Sequence, residues 1–420
     1  MIIPIPYGKG FLQADIQEER VAGIIRSKLD TYVPDRTEQE LINHAMDNPI
    51  GTKSLYQLAQ GCEKVVIIAS DHTRPVPSKL ILPGMLQEIR KGNPQADITI
   101  LIATGCHRET KKEELVEKFG IGIVEQEKIV IHDCDAGDLC YLGTLPSGGK
   151  LYINRIAAEA DLLVAEGFIE PHFFAGYSGG RKSVLPGIAS RKTIYANHCA
   201  EFINHENARY GSLKGNPIHE DMLVAAKKLQ YIVNVVINSR HKVIGAFAGD
   251  CEKAHLTGVN FLEGLCKTSP IPADIVVTSN NGYPLDQNIY QTVKGMATAE
   301  KTCKKDGVII MAAECRDGCG GDAFYRTFSS AESAKQVLED ISIIPRDKTV
   351  TDQWQSQIFA RILSKHPIIF VSSCEDKIIN EMHMIPAKSI SEALKKADEI
   401  LEGKEKKVTF IPEGITSIIE

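Results

Sequence analysis

Short apolar runs alternate along the chain with stretches whose apolar positions recur at helical spacing. KVVIIASD (64–71) is a block of β-forming residues that ends in polar ones, as a strand buried on both faces does. The stretch 76–92 follows, with helical spacing in its second half. DITILIATG (97–105) predicts a strand and KKEELVEKFG (111–120) a short charged helix closed by glycine. KIVIHDC (128–134) predicts another strand, and 154–171 a helix running into a strand. Within 231–250 two β-runs flank Asn238-Ser239-Arg240-His241, which predicts a hairpin, and 253–267 reads as a helix. Two prolines between 268 and 274 mark a boundary.

The same rhythm then restarts. Strands are expected over 274–280, 306–315, 367–374 and 407–414, and helices over 288–305, 333–341, 353–366 and 389–403. A strand–helix alternation of this kind predicts an α/β fold with mostly parallel sheets. The 420 residues exceed one comfortable core, so two α/β domains are expected, over 1–270 and 271–420.

Composition narrows the class. Hydrophobic residues are 43% and charged residues 24%, which excludes a mainly disordered chain. The net charge of −6 offers no basic stripe for nucleic acid. No stretch has the apolar length of a membrane span, and residues 1–20 lack the pattern of a signal peptide, so a cytoplasmic protein is expected. The eleven cysteines form no CxxC and read as reduced thiols, most of them buried small hydrophobes.

Four segments at or beside expected strand ends carry chemistry-bearing residues. Asp71, His72, Thr73 and Arg74 bring an acceptor and an anion clamp into one loop; the plainer alternative is a surface turn with an internal ion pair. Gly105, Cys106, His107 and Arg108 end the next strand, with His107 a base, a ligand or a structural histidine. The block from Glu166 to Gly187 is the densest, holding His172, Phe173, Phe174, Ser178, Gly179, Gly180, Arg181 and Lys182. Its glycines permit close backbone approach to a ligand and a phosphate nest. It is not a P-loop, because Arg181 stands where that motif needs glycine. Lys182 is then an amine suited to covalent attachment or phosphate contact. His198, on a helix expected to start near Ser190, is a metal-ligand candidate of low specificity by itself. In the second half Gln291 and Lys294 share a helix face beside Tyr290, and the only tryptophan, Trp354, is a packing residue or a pocket wall.

Taken together, SDHTRPVPSK, ATGCHR, GFIEPHFFAGYSGGRKSVLPG, the Asn197-His198 pair and YQTVKG resemble the nickel-dependent lactate racemase family nearly end to end. The resemblance implies an active site between two α/β domains. It also implies nickel held in a pincer nucleotide, a pyridinium-3-thioamide-5-thiocarboxylic acid mononucleotide covalently attached to Lys182. His198 would complete the nickel coordination, and His107 and His172 would be the two acid/bases. Asp71, Thr73, Arg74, Ser178, Gly179 and Gly180 would contact the nucleotide. Arg74, Tyr290, Gln291, Lys294 and Trp354 would contact a small 2-hydroxy acid, with lactate expected. The implied partners are that acid and the cofactor-maturation proteins.

The implied isomerase chemistry stands on its own logic. Deprotonating the α-carbon of an ionised hydroxy acid is very unfavourable, whereas removing hydride leaves a planar keto acid open to either face. Two mirror-related hydroxyl positions then require two bases. Alternatives are a racemase or epimerase for malate, a longer aliphatic, an aromatic or a sugar acid, and a cofactor- or nucleotide-binding protein without turnover. No GxGxxG supports a nicotinamide dehydrogenase.

Overall fold

The apolar runs become the inner strands of two parallel sheets. The computed structural model describes residues 1–402 and 406–420. Two compact units result: Leu29–His198 with His205–Leu265, and Met1–Lys28, Cys199–Asn204 and Cys266–Glu420. We call these the N-terminal and C-terminal units. Among the described residues no helix is long and apolar enough to cross a membrane.

The N-terminal unit holds a six-stranded sheet in the order Val243–Gly249, Tyr231–Ile237, Leu162–Phe168, Lys64–Ser70, Asp97–Ala103, Lys128–Ile131. Every neighbour pair is parallel except the expected hairpin, where Val243–Gly249 runs antiparallel to Tyr231–Ile237. Lys64–Ser70 comes first in the chain and lies inside the sheet. The next two strands add on one side of it and Leu162–Phe168 on the other. Strand order therefore reverses between Ser70 and Phe168, and ligands of open α/β sheets sit beyond the carboxyl ends at such a switch point. Leu162–Phe168 is buried along its whole length. Its Glu166 is buried too, and accepts bonds from Ser70 N, Ser70 Oγ and Ser78 Oγ at 2.9, 2.9 and 3.0 Å. These bonds fix the start of the loop after Ser70. The helix there runs from Ser78 to Gly92 with Pro83 inside, so the helical pattern covers more than its second half.

The C-terminal unit has a second six-stranded sheet, wholly parallel: Ile385–Ala387, Ile368–Val371, Cys303–Ala312, Ala273–Ser279, Val408–Ile411 and Val21–Ile24. Met1–Lys28, expected with the N-terminal domain, belongs here. Val21–Ile24 hydrogen-bonds along Val408–Ile411, and the hairpin Ile2–Tyr7 with Gly10–Asp15 places Ile3, Ile5 and Ala14 in this unit's core. The helix expected over 288–305 ends at Ala299, because the next strand already starts at Cys303. The helix expected over 389–403 is Ile390–Ile400; Gly403 lies outside the described residues.

Glu300, at the end of Ile289–Ala299, ties that helix to Gln353–Leu363. It pairs with Arg361 at 2.7 Å and with Lys365 at 2.8 Å. Burial alone would raise its carboxyl, but the two cations outweigh burial and hold it down to about 2, from an ordinary 4.5. A depressed carboxylate stabilises the fold fully above its unfolded value, and loses that contribution as pH falls through its folded value. Glu300→Gln is therefore expected to cost about 3 kcal/mol at neutral pH. The difference from the parent protein should shrink as pH drops from near 5 toward 3, measured by urea denaturation at each pH.

Candidate functional site

Asp71 follows the last residue of Lys64–Ser70 and is buried. Its carboxylate accepts from Thr73 N at 3.1 Å and Thr73 Oγ1 at 2.7 Å, and lies 2.7 Å from His107 Nδ1. Burial acts to raise Asp71, but the His107 and Thr73 hydrogen bonds and the Arg74 charge hold it down to about 2. An ionised carboxylate can only accept, so His107 Nδ1 carries the proton. In the neutral ring Nε2 then holds the lone pair, which makes His107 a ready base. Asp71 thus acts through His107. Asp71→Asn should lower kcat about tenfold to a hundredfold with KM little changed, because an amide NH2 facing Nδ1 favours the wrong tautomer. Steady-state kinetics at fixed pH would check it.

Beyond Phe168 the chain makes a two-residue ladder, Pro171-His172 against Gly176-Tyr177. His172 Nδ1 accepts from Ala175 N at 3.3 Å, so the neutral ring bears its proton on Nε2. Its ring stacks on Phe173 at 5.2 Å and meets Phe174 edge-on at 4.5 Å. The two histidines are thereby set in opposite neutral tautomers, with Nε2 of His107 open to a proton; His172 can give one only after its ring has become an imidazolium.

The glycine loop delivers Lys182 to His172. Gly179 has φ +79°, and a Cβ there would lie 2.7 Å from Asn234 Oδ1 and 2.8 Å from Phe168 O, so only glycine fits. The chain then enters a short 3-10 turn, Gly180–Ser183. Ser178 N donates to Glu170 O at 2.9 Å and Gly180 N to Asn234 Oδ1 at 2.7 Å, so these donors serve the loop itself. Lys182 Nζ lies 3.5 Å from His172 Nε2 and 5.7 Å from the centre of the Phe174 ring. Burial, and then the Arg181 and Arg74 cations, push its ammonium well below the usual range. Desolvation thus favours the uncharged, nucleophilic form of the amine.

His198 closes the helix Arg191–Asn197, whose N-cap is Ser190. Its ring packs edge-on against Phe174 at 5.1 Å. Burial, with Lys182 second, pulls its pKa down to about 3, so it presents a neutral imidazole. Phe174 thus gathers His172, Lys182 and His198 around one ring. An amine whose charge is disfavoured, beside a neutral imidazole, suits a group tethered by one and metal-ligated by the other. The loop of His107 is linked to the same segment through Gly105 N, which donates to Gly187 O at 2.9 Å.

Arg181 was legible only as the residue that excludes a P-loop. It is buried, and its guanidinium reaches His219 Nδ1 at 2.9 Å, His255 Nε2 at 3.1 Å, Ala175 O at 2.8 Å and Tyr177 O at 2.9 Å. Burial lowers it to about 9, so it stays a cation at neutral pH. It therefore holds both ends of the loop between His172 and Lys182. Sequence reasoning assigned no role to His219 or His255, whose partner is distant in the chain.

In the C-terminal unit Tyr290, Gln291 and Lys294 lie on Ile289–Ala299, and Trp354 on Gln353–Leu363. Tyr290 OH donates to Asp352 at 2.7 Å, and the Gln355 side chain donates to Tyr290 O. Tyr290 is thus tied to the residues on either side of Trp354.

Residues 7–211 match the lactate racemase N-terminal domain family, and residues 268–419 the lactate racemase C-terminal domain family. The chain is 54% identical to the lactate racemase of Thermoanaerobacterium thermosaccharolyticum over 99% of both chains. It is 51% identical to that of Lactiplantibacillus plantarum over 100% of this chain and 99% of the other. The structure of the T. thermosaccharolyticum lactate racemase apoprotein superposes with a TM-score of 0.96, at 53% identity and complete coverage of both chains. A Thermotoga maritima protein shares the fold alone, with a TM-score of 0.65 at 16% identity over 93% of this chain and all of that one. With His172, Lys182 and His198 gathered around Phe174, His107 held by Asp71 at a neighbouring strand end, and this likeness over its full length, the chain belongs to the lactate racemase family.

Proposed function

We propose that this protein interconverts the two hands of lactate, using a nickel pincer nucleotide joined covalently to Lys182 and ligated through nickel by His198. The observation that carries this reading is the desolvated Lys182 amine 3.5 Å from His172 Nε2, on the ring that also packs His198. When bound, the nucleotide supplies an electron-poor pyridinium carbon able to accept and return hydride.

The chain's own residues handle the rest. His107, held by Asp71, takes the hydroxyl proton of one enantiomer through Nε2. His172, starting as an imidazolium, gives a proton to the carbonyl oxygen on the other face and ends neutral, and the reverse reaction exchanges the roles. Arg74 offers a planar clamp for the substrate carboxylate. Tyr290, Gln291, Lys294 and Trp354 are further substrate contacts in this reading, and Thr73, Ser178, Gly179 and Gly180 contacts to the nucleotide; the family resemblance supports both assignments. Phe173 and Phe174 keep water from the faces of His172 that they cover. The reading includes a cytoplasmic setting and maturation proteins that build and load the nucleotide.

The test is enzyme produced with those maturation proteins and offered optically pure lactate, malate, 2-hydroxybutyrate, phenyllactate and an aldonic acid. Lactate should lose optical rotation with the highest kcat/KM. A faster rate with another acid would reassign the substrate. No racemisation of any acid by nickel-loaded protein would overturn the enzymatic reading.

A further inference from the structure

Two thiols that racemisation does not use stand beside His107. Cys106 precedes it directly, and Cys134 follows the neighbouring strand. The sheet builds their approach: Ile102 pairs with Ile131, His132 N donates to Ile102 O at 3.1 Å, and Thr104 Oγ1 donates to His132 O at 2.6 Å. The two segments therefore run side by side past their strand ends and bring Cys106 beside Cys134, whose Sγ lies 3.8 Å from Asp135 Oδ2. Cys106 is partly exposed and Cys134 buried. Arg191 donates its main-chain N–H to Cys134 O at 3.0 Å and grips Asp135 through Nε at 2.8 Å and Nη2 at 2.7 Å. Ligand atoms of Asp133, Cys134 and Asp135 lie within 4.8 Å of one another. The guanidinium clamped on Asp135 opposes a metal cation there, so thiol chemistry fits this cluster better than ion binding.

We propose that Cys106 and Cys134 form a reversible disulfide under peroxide and that this bond switches the enzyme off by displacing His107. The second half rests on the racemase reading; the bond itself does not. The neighbouring Cys106 and the Arg191 charge lower the Cys134 thiol against burial and the Asp135 and Asp133 carboxylates, while Cys134 and burial push the Cys106 thiol up. The Cys134 thiolate attacks one oxygen of hydrogen peroxide. The O–O bond breaks, and the departing hydroxide takes the Cys106 proton and becomes water. The Cys106 thiolate then attacks the Cys134 sulfenic sulfur. The S–S bond forms, the S–O bond breaks, and the second hydroxide takes up a proton as water. Two thiols lose two electrons and the peroxide gains them. A disulfide of about 2.05 Å is shorter than any thiol hydrogen bond, so Cys106 must move toward Cys134. His107 moves with it, out of the turn whose N–H reaches Thr104 O at 2.9 Å and away from Asp71 at 2.7 Å.

The experiment treats nucleotide-loaded enzyme with hydrogen peroxide. It reads disulfide-linked peptides, amide exchange over residues 104–108, and racemisation. The expected result is a peptide pair joining Cys106 to Cys134, faster exchange in that loop and a rate lower by about a hundredfold, all reversed by dithiothreitol. Cys134→Ser and, separately, Cys106→Ser should keep the untreated rate and resist the loss. Peroxide that leaves this pair as thiols overturns the proposal. So does an equal loss in both serine variants, which places the damage elsewhere, or a linked pair with an unchanged rate. A reversible link in protein that never racemises lactate supports the disulfide and instead removes the racemase reading.

Discussion

Replacing His107 with alanine should lower racemisation in both directions by about 10²–10⁴-fold, and replacing His172 should do the same. The reason is the topology of the reaction. Each enantiomer presents its hydroxyl to a different base, and a complete turnover visits both. A variant with one imidazole can still take hydride and a proton from the enantiomer that its remaining base serves. In a single turnover, then, each variant should form keto acid from one hand of lactate only, and the two variants should choose opposite hands. The two rings are held differently: His107 Nδ1 is bound to Asp71, whereas His172 Nδ1 accepts from Ala175 N, so His172 must shift its ring proton from Nε2 before it can serve as the base. Rapid-quench keto-acid formation from each pure enantiomer distinguishes the outcomes. Equal loss with both hands in both variants would contradict the two-base account.

Changing Lys182 to alanine should abolish racemisation to the level of the uncatalysed reaction. No other side chain in the loop offers an amine, and tethering needs one. The same change should alter stability by less than about 1 kcal/mol, because the amine is desolvated at a cost that its neighbours do not offset. Burial and two nearby cations all act against its charge. Lys182→Arg should be equally inactive, since a guanidinium is neither neutral nor an acylation target at neutral pH. Intact mass of each variant, made with the maturation proteins, should match the bare chain, while the parent carries a nucleotide-sized adduct. An active Lys182→Ala variant would remove the covalent tether from the account.

Much of this site was legible because strands buried on both faces announce themselves as apolar runs. Once Lys64–Ser70, Asp97–Ala103 and Leu162–Phe168 are read, the residues just past their ends are candidates by position alone. Asp71, His107 and His172 all stand out in this way. The pairings were not legible. Asp71 meets His107 across two strands of the sheet, and Arg181 meets His219 and His255 through contacts that no local period encodes. Nor did local pattern show that Val21–Ile24 completes a sheet with Val408–Ile411, since a short edge strand carries too few apolar positions to declare its partner. Glycines likewise reveal backbone freedom but not which acceptor takes an N–H: Asn234 takes that of Gly180.

The central claim is that the α-hydrogen of the substrate leaves and returns as hydride, while His107 and His172 move only the hydroxyl proton. Turnover of one enantiomer of lactate in deuterium oxide tests it most directly. The account predicts product of the opposite hand with protium still at its second carbon. Deuterium at that carbon would mean that a base had taken the α-proton, and would contradict it.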